Sequence, residues 1–137
     1  MKKVIILITM MISLVGCATL QETKVDSPQA VESVVEVTNI EYNLINIFPG
    51  QGLTLGFDEA GRIFGYSGLN RYFGKADIKD GRIVVDPLAS TKMGGAREAL
   101  IREDQFLTLL KSMTKISKTG DKLILTNTKG EQLIFSK

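Results

Sequence analysis

Beyond residue 38 the chain is built from short runs of alternating or apolar residues separated by turn-forming residues, the pattern of a β-rich domain. Glu41 to Phe48 carries apolar residues at Tyr42, Leu44, Ile45 and Ile47 and stops at Pro49-Gly50, a strong breaker pair. Leu53, Leu55 and Phe57 alternate cleanly. Asp58-Glu59-Ala60-Gly61 then reads as a hairpin loop with Gly61 at positive φ, and Ile63 to Tyr66 as the return strand. Ala76 to Lys79 and Arg82 to Asp86 flank Asp80-Gly81, a dipeptide suited to a type I′ turn because both residues tolerate left-handed φ. Two more strands, Lys122 to Thr126 and Gln132 to Phe135, lie either side of Asn127-Thr128-Lys129-Gly130.

One stretch breaks this pattern. Ala96 to Met113 lacks Gly and Pro, is rich in helix formers and places Phe106, Leu109, Leu110 and Met113 at helical spacing. That stripe predicts a helix lying on the sheet, with Glu98, Arg102, Glu103 and Lys111 turned largely elsewhere. Ser90 and Thr91 are candidates to begin the helical region, although Gly94 and Gly95 leave its start open.

The first residues have a different character. Lys2 and Lys3 precede an apolar run from Val4 to Ile12, the form of a secretion signal. The run is much shorter than the roughly 20 apolar residues a membrane span requires. Leu14-Val15-Gly16-Cys17 follows and resembles the lipobox of bacterial lipoproteins. The expectation is therefore a signal at residues 1–16, lipid attachment at Cys17, and a flexible polar tether over residues 17–38. Each methylene buried in a bilayer contributes about 0.8 kcal/mol, so two or more acyl chains anchor a protein without spanning the membrane. Ala18 stands where an Asp resembles an inner-membrane retention signal. The expected address is the periplasmic face of the outer membrane.

Composition narrows the options further. The chain has 137 residues and a formal charge of +2, which Lys2 and Lys3 alone account for. Without the signal the protein is formally neutral, and no clustered basic segment argues for nucleic-acid binding. There is no histidine, and the single cysteine is assigned to the anchor. Cys/His metal sites, Ser-His-Asp hydrolysis and thiol catalysis therefore lack their residues, and neither a metal nor a cofactor is expected. Most acids, among them Asp58, Glu59, Asp80, Asp121 and Glu131, fall in turns and read as solvated charge. Gly61, Gly65 and Gly68 do not form a nucleotide-binding fingerprint, which needs a strand feeding a helix.

Three segments carry a family resemblance: Gly61 to Gly74, with its Tyr66-Ser67-Gly68-Leu69-Asn70-Arg71-Tyr72 core, then Pro87 to Met93, then Glu103-Asp104-Gln105-Phe106-Leu107. Together they resemble the META domain, the family of HslJ-like heat-shock proteins, over about Asn39 to Phe135. The resemblance implies a mainly β (α+β) fold: a small, strongly twisted antiparallel sheet approaching a barrel, with one helix packed on it, over residues 39–137. It further implies that relatives carry paired cysteines where this chain has Leu69 and Gly94-Gly95, and often Trp where it has Tyr42.

The one cluster that mixes polar and aromatic residues is Asn70-Arg71-Tyr72, a candidate binding loop, since Arg and Tyr are enriched at binding hot spots. Against that, such an Asn commonly bonds backbone in a turn and an Arg can brace a carboxylate. The resemblance implies a non-enzymatic envelope protein that supports envelope integrity or stress tolerance, with the membrane as one partner and an envelope protein as a possible second. The alternative is an inhibitor, for example of lysozyme or a protease, or a carrier of a small apolar ligand. A barrel interior filled by side chains would reject the carrier but not the inhibitor.

Overall fold

The computed structural model describes residues 27–32 and 36–137. Nine strands and one helix follow in the order β1 (Gln29–Ala30), β2 (Glu41–Leu44), β3 (Thr54–Phe57), β4 (Arg62–Tyr66), β5 (Arg71–Lys79), β6 (Arg82–Ser90), α1 (Arg97–Ser112), β7 (Met113–Thr119), β8 (Lys122–Asn127) and β9 (Gln132–Ser136). All pairings are antiparallel. The order β7-β6-β5-β4-β3-β2-β9-β8 returns to β7 through a β7–β8 pairing, so eight strands close into a barrel. Closure satisfies the backbone groups that an open sheet would leave at its edges. The fold read from the sequence is thus the observed one, taken to full closure.

The expected turns form for the expected reason. Asp80 and Gly81 have φ of 51° and 74°, the left-handed pair a type I′ hairpin needs, and Gly61 sits at φ 73°. The Asp58 carboxylate accepts the backbone N–H groups of Ala60 and Arg62, both at 2.9 Å, and so shapes the β3–β4 loop.

Several boundaries move. β5 and β6 each run to nine residues, well past the predicted spans. On β6 the buried positions are Ile83 and Val85 before Asp86-Pro87 and the half-buried Leu88 and Ser90 after it. The alternation changes parity there, which hides the second half of the strand from a period-two reading. The helix starts at Arg97, after Gly94-Gly95, while Ser90 ends β6 and Thr91 belongs to the connection. β7 has no counterpart in the sequence reading: only Met113 and Ile116 are buried along it, and an irregularity between Met113 and Lys115 interrupts its register with β8.

The interior is packed with Tyr42, Leu55, Phe57, Ile63, Tyr72 and Phe135 from the strands, among others, and with Phe106 and Leu110 from the helix. Phe106 meets Tyr72 edge to face, ring centroids 5.7 Å apart. The helix therefore packs its apolar face on the barrel core, as its stripe predicts.

The described part of the stretch read as tether, residues 27–32 and 36–38, contributes to the domain. β1 pairs with β7 (Gln29 with Lys118, Ala30 with Ser117), and Val31 and Val37 are fully buried. β6 and β7 share a single residue pair, Arg82 with Lys115, and the chain at Val31-Glu32 fills that seam. Val31 accepts from Gly81 N–H at 2.9 Å, and Glu32 O from Asp80 N–H at 3.2 Å. Polar neighbours masked this role in the sequence. Val31→Ala should lower unfolding stability by about 2 kcal/mol, whereas Val84→Ala, at a position 61% exposed, should change it by less than about 0.5 kcal/mol. Urea melts of the two variants decide this, and similar losses would place the Val31 segment outside the folded unit.

Candidate functional site

The densest polar arrangement in the domain lies beneath the β4–β5 loop, at the residues that carry the family resemblance. Glu103 projects from α1 and is only 9% exposed. Removing a carboxylate from water is costly unless donors replace the solvent. The loop supplies them: the Ser67 hydroxyl donates to Oε2, the Asn70 backbone N–H donates to Oε2 at 3.0 Å, and the Asn70 side-chain amide donates to Oε1 at 3.0 Å. Asn70 also grips the β6–α1 connection. Its Oδ1 accepts the Met93 N–H at 2.7 Å and the Thr91 hydroxyl at 3.0 Å, and its amide reaches Met93 O at 3.3 Å.

One side chain thus joins three pieces of chain that are distant in sequence. Gly68, at φ 88°, makes the turn between Ser67 and Asn70 possible. The Arg102 guanidinium lies against it, with Nε buried and without an acceptor. Gly95 packs directly under Leu69: a Cβ there would sit 2.6 Å from Leu69 Cδ1. The two places where the resemblance implies paired cysteines are therefore in contact, joined here by packing.

The candidate binding loop divides accordingly. Asn70 and Tyr72 are each 1% exposed, and only Arg71 reaches solvent. Tyr72 donates its hydroxyl to Thr54 O on β3, passing over Gly65, where a Cβ would lie 2.2 Å from that same oxygen. Two of the three residues are thus interior braces, the role the sequence left open beside binding, and Arg71 is the one placed to meet another molecule. Glu103 is the residue sequence reasoning missed, because a charged helix residue is by default placed outward. Its signal was its position three residues before Phe106, on the edge of the apolar stripe. Cys17 lies outside the described residues.

The remaining acids are engaged locally or solvated. Asp58 pairs with Arg62 at 2.7 Å, Glu59 accepts from Asn39 at 3.2 Å, and Glu131 accepts from Asn127 at 2.7 Å. Among the described residues no group of three or more His, Cys, Asp or Glu could hold a metal ion, and no helix is long and apolar enough to cross a membrane. Two open hollows mark the outer surface. One, of about 500 Å³, lies between Phe48, the middle of α1 and the Asn127–Glu131 loop. The other, of about 560 Å³, lies on the barrel wall over Phe64, Phe73 and Pro87.

A closed eight-stranded barrel with one helix, clamped by a buried Glu-Asn contact, is the class this chain falls in. It belongs to the META domain family, whose model matches residues 35–137. The fold is shared with a protein from Burkholderia xenovorans solved by NMR, at TM-score 0.64 and 21% identity over 75% of this chain and 84% of that one. A second NMR structure matches at TM-score 0.61 and 19% identity, covering 77% of this chain and 95% of the other. No curated protein matches the chain.

Two outcomes follow from this geometry. Glu103→Ala removes the charged acceptor that the Ser67 hydroxyl and both Asn70 donors share, leaving them only neutral bonds within the loop and to Met93, and should cost about 3 kcal/mol. In a double-mutant cycle with Asn70→Ala, urea melts should return a coupling of about 2 kcal/mol; additive losses would mean that the clamp is not a unit. The second concerns alkaline pH. Tyr72 is pushed well above its ordinary value, first by burial and then by the Glu41 carboxylate, and Tyr42 is raised by burial and by Asp121. Folded values above the unfolded one mean that stability is intact below pH about 10 and is lost as the pH rises through the folded values. Melting temperature against pH should fall steeply above that point, and less steeply in Tyr72→Phe, whose neutral-pH stability should drop by about 1 kcal/mol.

Proposed function

We propose that this chain is a lipid-anchored, non-enzymatic envelope protein that supports envelope integrity or stress tolerance through contacts made by its outer surface. The observation that carries this reading is that the buried polar residues of the family segments are used up internally. Glu103, Asn70 and Ser67 satisfy one another, and the interior is filled by aromatic and aliphatic side chains. Interaction chemistry is left to the exterior. A filled interior also argues against the apolar-ligand carrier, and a β4–β5 loop fastened to Glu103 makes a poor protruding inhibitor loop.

The anchor rests on the sequence from Lys2 to Cys17. Acylation at Cys17 would hold the domain at a membrane surface by two or more chains, enough for stable attachment. Cys17→Ser should abolish incorporation of labelled palmitate and release the protein from the membrane fraction. In a strain lacking the protein, the parent should restore survival under heat or envelope stress and Cys17→Ser should not. Full rescue by the unacylated variant would overturn the anchored reading.

A further inference from the structure

The outer face of β4 and β5 carries three directly opposed pairs: Arg62 with Lys75, Phe64 with Phe73, and Tyr66 with Arg71. An aromatic centre is therefore bracketed along the strands by cations. Folding alone does not favour this arrangement. Like charges directly opposite one another on a sheet destabilise it, and Phe73 leaves 55% of its surface in water. Phe64, at 38% exposure, has a packing role, since its ring covers Gly56 on β3: a Cβ there would lie 2.6 Å from Phe64 Cζ. Phe73 faces Ala89 on β6, which is itself exposed, and borders the wall hollow with Pro87 and Gly74.

Two carboxylates at the margin are engaged, while Asp77, two residues past Lys75 on the same face of β5, is exposed and lies beyond the aromatic centre. Asp58 is held below the ordinary carboxylate range, chiefly by the Arg62 backbone N–H, and bridges the Arg62 side chain. Asp86, next to Pro87, faces Lys111 at 4.0 Å. Arg71 and Lys75 are exposed, and neither is in an ion pair among the described residues.

We infer that this wall of β4 and β5 docks on an anionic phospholipid surface. Phe73, which has no polar tip, enters the acyl boundary; Tyr66 lies at headgroup level; Arg71 and Lys75 meet lipid phosphates. The inference rests on the lipid-anchored reading, which keeps the domain beside a bilayer. The geometry allows the contact. β1 enters the barrel beside β7, two strands round from β5, or about 10 Å at ordinary strand spacing. The stretch from Cys17 to Ser27 spans at most about 35 Å when fully extended, ample to lay that wall against the membrane.

The protein has no tryptophan, so Phe73→Trp places a single reporter on the wall. Ile45→Trp places one just past β2, three strands away, at a position that is 48% exposed. Each purified full-length mature chain is reconstituted with vesicles of phosphatidylcholine alone, or mixed with phosphatidylglycerol, whose acyl chains are brominated. With phosphatidylglycerol present, emission from position 73 should shift to the blue and be quenched well beyond that from position 45. Adding Arg71→Glu/Lys75→Glu should abolish the difference. Circular dichroism and urea midpoints confirm folding, since every altered side chain is exposed. Equal quenching at the two positions, or an excess at position 73 that does not need phosphatidylglycerol, overturns the docking face. The mass of the mature chain reads acylation at Cys17 separately: an unmodified thiol sinks the anchor, and the quenching comparison still decides the face.

Discussion

A carboxylate withdrawn from water must be given donors in its place, and the way Glu103 obtains them organises one end of this barrel. Its three donors come from Ser67 and Asn70, whose turn depends on Gly68 at positive φ. Asn70 in turn holds Thr91 and Met93, so that the connection leading into α1 is tied to the loop that the helix covers. Without those bonds the first half of the helix would rest on the core by the apolar contact of Phe106, its other polar links, Lys111 to Asp86 and Asn127 to Ser112, being at its far end. A packed face is non-directional, whereas a carboxylate with three donors fixes register and orientation.

The same clamp explains why Ser67, Asn70 and Glu103 have little to offer a ligand. Their polar atoms face one another. Leu69 over Gly95 adds a close contact where the family resemblance implies paired cysteines, so the link between loop and connection is made here by packing. In the proposed reading, contacts with other molecules fall to the wall, where side chains are not constrained by closure. There the cross-strand pairs set Phe73 between Arg71 and Lys75, an arrangement that lacks an internal partner and suits an anionic interface.

Closure of the barrel imposes a second constraint. β6 and β7 share only one residue pair, and the chain ahead of the main barrel, through Ala30 and Val31, covers the gap. A segment with the composition of a linker thereby becomes part of the core. The chain that precedes the barrel and the folded unit are continuous at that seam, which places the entry of the chain on a defined side of the barrel.

The hairpins at Asp58–Gly61 and Asp80-Gly81, most strand positions and the helix were legible along the chain, because these depend on local φ preferences and on periods of two and 3.6 residues. The sequence also carried the family, through Gly61 to Gly74, Pro87 to Met93 and Glu103 to Leu107. Only the tertiary structure decided the rest. β7, with two buried residues and an interrupted register, has no period to read, and β6 changes parity at Asp86-Pro87. Asn70 and Tyr72 turned inward and Glu103 became buried because donors and acceptors 18 to 33 residues apart meet when the barrel closes. The cationic and aromatic wall likewise exists only through the β4–β5 register, for a residue's partner across a sheet is set by which strands pair and not by its neighbours along the chain.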